Sequence, residues 1–528
     1  MTHRASTDRR QLLQLAAACA TSFWLPRSAW SQARLSDNPF SLGVASGSPT
    51  HDSVVLWTRL LHPSLPQAHQ AAMTVQWELA DDDKFTRVVR SGQAQALPEL
   101  AHSVHVEPAG LAPDRWYFYR FKMGDAISPT GRTRTLASPG AKVDKLRLAY
   151  ASCQRWEHGY YSAYRHMRDE NLDLVMFLGD YIYEYPGALK AVRQPTGGWV
   201  TTLDDYRQRY ALHKSDADLQ AMHAACPWLL TWDDHEVQND YAGLQAGDSG
   251  PAVNDFAARR AAAYQAFYEH MPIRAASLIR AMAGLHSGAE MRLYSRVQHG
   301  QLASLYLLDA RQYKDPQVCT RGGKLGASTL NPTQCPDWRD PRRSLLGKEQ
   351  EAWLSSEFGK AVTGQGVWNV IGQQSVFGQR DFKPGPGQSL WNDGWDGYAA
   401  ARRRLTDALG QQALPNPVLL GGDVHENWVG HVKADYADPD SPCVGVEFCG
   451  TSITSRSGGN GKLAERLVEN PHFVFAEAER KGYGVVEFTP GRLSTTLRVV
   501  DDVTQQDAAI ETLARFVVQA GRPVVEQG

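Results

Sequence analysis

From residue 38 to about residue 140, apolar and polar positions alternate in short runs. "DSVVLWTRL", "MTVQWELA", "HSVHVEPAG" and "RWYFYRFKMG" carry the alternation, with Gly, Pro and Asp between them. Successive side chains of a strand point to opposite faces, so the pattern predicts strands with one buried face. Turn residues recur every 8–12 residues or so, which predicts an all-β sandwich. "LASPGAKVDK" interrupts the alternation and reads as a linker.

From Leu146 the period changes. "LRLAYA", "DLVMFLG", "PWLLTW", "LASLYLLDA", "WNVIGQ" and "PVLLGG" are short runs that are almost wholly apolar. Among them lie "GYYSAYRHMRDE", "LDDYRQRYALH", "DADLQAMHAA", "DFAARRAAAYQAFYEHM", "GKEQEAWLSSEFGKAV" and "YAAARRRLTDALGQQ", with helical spacing. Buried strands alternating with helices predict an α/β domain, with helices on both faces of a sheet. "VGVEFCG", "GYGVVEF" and "LSTTLRVV" add strands. The tail "DAAIETLARFVVQ" predicts a helix, available to cover a cleft and filter substrates. No internal repeat, membrane-spanning run or low-complexity tract is present.

Composition narrows this picture in few places. A chain of 528 residues is too long for one ordinary core, so two domains are expected. A formal net charge of -2 gives no basic excess for nucleic acid or an anionic membrane. The first segment changes the picture more. Arg9 and Arg10 precede a weakly apolar run from Leu12, and Ser31-Gln32-Ala33 follows. That order resembles a twin-arginine export signal, which implies the export machinery as a partner and a periplasmic or extracellular address. Cys19 offers a lesser option, lipid anchoring. The division is then 1–33 signal, 34–140 β-sandwich, 141–503 catalytic α/β domain and 504–528 C-terminal helix and tail. Cys319 and Cys335 bracket a loop rich in Gly, Asn and Pro, which a disulfide would close in an oxidising compartment. Cys226 reads as a packing residue, while Cys443 and Cys449 have no assigned role.

Chemistry gathers after the apolar runs. "LRLAYA" leads to Ser152-Cys153-Gln154, and "LVMFLG" to Asp180-Tyr181-Ile182-Tyr183. "PWLLTW" leads to Asp233-Asp234-His235-Glu236 with Asn239 behind, and "PVLLGG" to Asp423-Val424-His425. Ligands bind beyond the carboxyl ends of strands in open α/β sheets. Parallel neighbours would therefore bring Cys, Asp, Tyr, Asn and His to one edge. Three carboxylates and an imidazole in four residues repel without a cation or solvent. Thiol and phenol, with ordinary pKa values of about 8.5 and 10, need a strong Lewis acid to stay ionised at neutral pH. Iron(III) suits that Cys/Tyr/Asp/His set better than zinc, and the oxygen donors Asp234, Asn239 and Asp423 suit calcium, magnesium or manganese. Asp180 lies between the two sets and is placed to bridge them.

Together "ASCQ", "GDYIYE", "WDDHEVQND", "GQQ", "WDGY" and "GGDVHENW" resemble the motif set of the alkaline phosphatase D branch of the metallophosphoesterases. The resemblance runs through the whole chain after the signal. It implies an α/β/β/α sandwich behind the small β-sandwich, and an iron(III)–calcium site, with Mn2+, Mg2+ or Zn2+ as substitutes for Ca2+. By motif, Cys153, Asp180, Tyr183 and His425 would hold iron, and Asp180, Asn239 and Asp423 calcium, with Asp234 a further ligand. Tyr181 would pack or touch substrate. The implied reaction is hydrolysis of phosphomonoesters and phosphodiesters, from small molecules to phosphate-containing polymers and lipids, by a monomer. His235 would protonate the leaving group or orient phosphate. Arg155 would contact phosphate or form a surface ion pair. A secreted iron redox enzyme and a non-catalytic binding protein are the competing classes. The first would hold iron without calcium and the second no metal.

Overall fold

A computed structural model of the chain describes residues 38–61, 71–188, 190–278, 290–363 and 367–528. The signal segment, with Arg9, Arg10 and Cys19, lies outside the described residues. Two large sheets face each other. The first has ten strands, in the order Glu526–Gln527, Ile510–Gln519, Arg492–Val500, Lys481–Phe488, Leu146–Ala151, Leu174–Leu178, Trp228–Thr231, Val44–Gly47, Val55–Arg59 and Ser103–Val106. The second has seven, in the order Ser295–His299, Ala303–Leu307, Trp368–Gly372, Pro417–Gly421, Cys443–Cys449, Asn427–Lys433 and Phe473–Glu477.

The all-apolar runs are explained by two buried faces. In Leu174–Leu178, Val175 and Phe177 pack under helices, while Leu174, Met176 and Leu178 pack against the second sheet. Pro417–Gly421 repeats this: Val418 and Leu420 meet the first sheet and Leu419 meets its own helices. Helices Ser162–Arg168, Leu203–Lys214, Ala217–Ala225 and Phe256–His270 contribute to the outer layer of the first sheet. Lys348–Thr363 and Ala399–Gln411 cover the second. Helices therefore cover one face of each sheet, not both faces of one, and the inner faces join as α/β/β/α. Leu203–Lys214 starts where Thr202 and Asp205 form a reciprocal capping box, with Asp204 and Asp205 supplying in the first turn the charge its dipole favours there.

The N-terminal region is all-β, but one layer of its sandwich belongs to the first sheet. Val44–Gly47 joins Trp228–Thr231 in parallel at Gly47 and Trp228. A five-stranded sheet, containing Met73–Ala80, Val88–Ala96 and Trp116–Met123, packs over this extension through Leu56, Val104, Val75, Tyr119 and Phe121. Behind this extension, Lys214 is buried with its Nζ 4.2 Å from the Trp57 ring centroid and 5.6 Å from that of Tyr181. Burial alone lowers the Lys214 ammonium to about 7.

The tail corrects one expectation. Ile510–Gln519 is a strand, not a helix, and pairs antiparallel with Arg492–Val500 near the outer edge of the first sheet. Ala514, Phe516 and Val518 alternate inward, with Ile510, Thr512 and Val517 supplying β-branched residues. It leaves residues 504–528 without a helix to cover a cleft. Cys319 and Cys335 are disulfide-bonded, with Cα atoms 6.0 Å apart. Cys226 and Cys449 are buried and free, and Cys443 is half-buried and free. Among the described residues, no helix is long and apolar enough to cross a membrane.

Candidate metal centre and active site

The site forms where strand tips from both sheets meet. Leu146–Ala151, Leu174–Leu178 and Trp228–Thr231 are parallel neighbours in the first sheet, so their following residues emerge at one edge. Pro417–Gly421 brings Asp423 and His425 from the second sheet. Each chain turns sharply on leaving its strand. Cys153, Asp180, Asp423 and His425 have φ values of 59°, 59°, 66° and 58°, in the left-handed region that L-residues seldom occupy. Gly179 takes φ 106°, and a Cβ there would run into Asp233.

Ligand atoms of Cys153, Asp180 and His425 lie within 4.8 Å of one another, as do those of Asp180, Asp234 and His235. Asp180 is common to both groups. The Tyr183 hydroxyl enters the first group: it donates to Asp180 Oδ2 at 2.9 Å, stands 3.2 Å from His425 Nε2, and accepts from Ser455 Oγ at 2.7 Å. Tyr181 points away into the core, its hydroxyl 2.8 Å from His223 Nε2. It packs and does not face the site. His425 Nδ1 lies 2.8 Å from the Arg456 carbonyl, so Nδ1 carries the proton and Nε2 presents a lone pair. Burial, with Lys481 adding to it, lowers His425 to about 3, so its imidazole is neutral.

The electrostatics suit a bound cation. Burial raises the Asp180 carboxyl well above its ordinary range, and Asp234, Glu236 and Asp423 raise it further against the opposing His235. Burial raises the Cys153 thiol and the Tyr183 phenol as well, with Asp180 reinforcing both. Asp180 Oδ1 is buried and has no hydrogen-bond partner. Asp423 is half-buried, outside both groups, and its own carboxyl is raised by burial and by Asp234 and Asp393, against Arg311. Asn239 is half-buried and is fixed by its backbone N–H, which donates to Glu184 Oε1 at 2.8 Å.

His235 is positioned by Glu184. Its Nδ1 lies 2.7 Å from Glu184 Oε2, and its ring lies tilted against that of Tyr183, with centroids 4.1 Å apart. Burial works against its charge, but Glu184, Asp180 and Asp234 outweigh burial and hold the imidazolium well above the ordinary range. The Arg155 guanidinium lies over the Tyr185 and Tyr183 rings, 4.6 and 5.5 Å from their centroids, with Nε 3.7 Å from buried Glu157. Its ion pair is with a buried carboxylate at the site edge.

Several supporting roles escaped the sequence reading. Glu236 does not add free charge: its carboxylate accepts the backbone N–H groups of Asp180, Tyr181 and Asp233 at 3.2, 2.6 and 2.8 Å. Buried Arg311 bonds Asp233 and Asp393, and Lys314 bonds Asp393. A third acidic group, Asp234, Asp240 and Asp393, is therefore already served by cations of the chain itself. Glu184 and Glu236 were visible in "GDYIYE" and "WDDHE", whereas Arg311 carries no local signal.

Residues 148–497 match the family described as PhoD-like phosphatase, and residues 26–137 match the PhoD-like phosphatase N-terminal domain. Fold, site and these matches define the class as a hydrolase of phosphoric esters. The chain belongs to the PhoD-like phosphatase family. It is 46% identical over 494 residues to alkaline phosphatase D of Bacillus subtilis (strain 168), covering 92% of this chain and 81% of that protein. A solved structure of PhoD matches with a TM-score of 0.86 at 44% identity, over 94% of this chain and 93% of that one.

Proposed function

We propose that the chain is an exported phosphoesterase acting on monoesters and diesters with two kinds of cation. Cys153, Asp180, Tyr183 and His425 would hold iron(III). Asp180, Asp234, Asn239 and Asp423 would hold calcium, with manganese, magnesium or zinc as substitutes. The observation that carries this reading is the buried Asp180 carboxylate, shared by two ligand groups, whose Oδ1 has no hydrogen-bond partner. A buried carboxylate oxygen without a partner is costly, and a cation is a group that satisfies it. A thiol and a phenol raised by burial need a strong Lewis acid to ionise, which fits iron(III) better than zinc.

When bound, such cations supply Lewis acidity, lowering the pKa of a coordinated water and neutralising charge on phosphoryl oxygens. The chain's own groups do the rest. The Arg155 guanidinium is placed to take a phosphoryl oxygen, with Tyr183 and Tyr185 holding it by cation–π contact. His235 keeps its proton through Glu184 and gives it to the departing alkoxide oxygen. Water supplies the new P–O bond, the ester P–O bond breaks, and alcohol and phosphate (or a phosphomonoester) leave.

The signal-like segment supports export through the twin-arginine route. Elemental analysis of exported protein tests the metals, alongside assays on one aryl monoester and one aryl diester. The expected result is iron with calcium and hydrolysis of both. Cys153→Ala is expected to lose iron and most activity. Full iron and activity in that variant would remove Cys153 from the ligand set.

A further inference from the structure

An aromatic pair borders the site: Tyr185, which also holds Arg155, and Trp199, which has no part in the chemistry described so far. Tyr185 and Trp199 are both half-buried and meet edge to face, with ring centroids 5.2 Å apart. The Tyr185 ring centroid lies 5.2 Å from that of His235. A ring nitrogen of His235 and a carboxylate oxygen of Asp180 lie within 4.8 Å of each other. The pair therefore begins about one ring's width from the reacting centre.

The pair is built rigidly. Arg209 is 3% exposed and donates to the carbonyls of Tyr183, Tyr185 and Gly198, the last two at 2.8 and 3.2 Å. One buried guanidinium thus clamps the segment carrying Tyr185 to the segment carrying Trp199. Gly250 lies against the other side of the indole: a Cβ there would come within 2.8 Å of Trp199 Cε3, and its φ of 77° also favours glycine. Two half-open rings held by a buried arginine and a glycine cost little entropy to use as a binding surface.

We propose that Tyr185 and Trp199 form the subsite for the leaving group of the ester, and that it selects planar aromatic groups such as aryl or nucleobase-bearing alcohols. This rests on His235 as the acid: a group protonated by His235 departs beside that imidazole, and Tyr185 and Trp199 are the half-open rings next to it. Ring-on-ring contact adds to area burial only when both partners are planar, so an alkyl alcohol gains less from this surface.

The test uses metal-loaded, full-length protein and two non-hydrolysable probes, phenylphosphonate and methylphosphonate, as competitive inhibitors. Wild-type protein is expected to prefer the phenyl probe. In Trp199→Leu that preference is expected to fall roughly five- to tenfold. Tyr185→Leu is expected to do the same, and Tyr185→Phe, which keeps the ring, to retain the preference. Thermal melting of each variant checks folding. Equal weakening of both probes in Trp199→Leu, an unchanged preference, or no preference in the wild type would each overturn the subsite. A preference for glucose 1-phosphate over phenyl phosphate, lost in Trp199→Leu, would also overturn it by assigning the rings to a sugar. Failure of wild-type protein to hydrolyse any ester would instead strike the metal reading, so the two results stay separate.

Discussion

Two buried clusters flank the Asp180–Tyr181 peptide, and they resolve uncompensated charge in opposite ways. On the strand-tip side, Asp180, Asp233 and Asp423 are all raised by burial, and each is raised further by neighbouring carboxylates. Behind Tyr181, Lys214 is lowered to about 7 and His105 to about 4, by burial first in each case. His223 and His270 are also lowered by burial, with Lys214 contributing to both. The acidic side cannot be relieved by protonation at alkaline pH, so it calls for cations. The basic side can shed its protons there, and it needs no partner. Burying like charges therefore specifies a ligand in one place and a working pH range in the other.

The largest effect separating the two clusters is expected from Asp180→Asn, with activity falling about a thousandfold or more as the shared donor is lost. Chelation is expected to lower the melting temperature of the wild type, because the ions bind only the folded chain. The variant should show a much smaller drop. An equal drop in both would mean that Asp180 holds no ion.

Lys214→Met comes next and acts on the basic side alone. Lys214 has a lowered folded pKa, so between about pH 7 and 10.5 the unfolded chain binds the extra proton and wild-type stability rises with pH. The variant is expected to be more stable by about 2–4 kcal/mol at pH 7, with the advantage vanishing near the ordinary lysine value. Denaturant melts across that range check it, and a constant difference would refute the neutral-lysine account. The smallest effect is expected from Glu184→Gln. Without that carboxylate the His235 imidazolium is held less strongly, so the alkaline limb of the pH–rate profile moves down by about one pH unit.

How legible was this in the sequence? Donors at strand tips were readable because apolar runs end on residues that have no reason to be there. Asp180 after "LVMFLG" and Asp423 after "PVLLGG" are such cases. The strand Ile510–Gln519 was misread because Leu513, Ala514 and Arg515 suit a helix, and only pairing with Arg492–Val500 decides the matter. The strands Ser295–His299, Asn427–Lys433 and Phe473–Glu477 were not foreseen at all. Arg311 reaches Asp233 across 78 residues, a contact no local pattern encodes. The single sheet expected from strand–helix alternation became two, because alternation along Leu174–Leu178 tells that both faces are covered but not by what.

The left-handed turns at Cys153, Asp180, Asp423 and His425 set a limit on how this centre can be re-engineered. A library that randomised the four positions would be sieved by backbone torsion before any affinity for an ion came into play. Glycine would pass the sieve and leave a folded, donor-poor scaffold, asparagine would pass it with only a neutral oxygen donor, and valine, isoleucine and threonine would fail it even where their size fits. Redesign toward another cation would have to begin with donors that tolerate the bend.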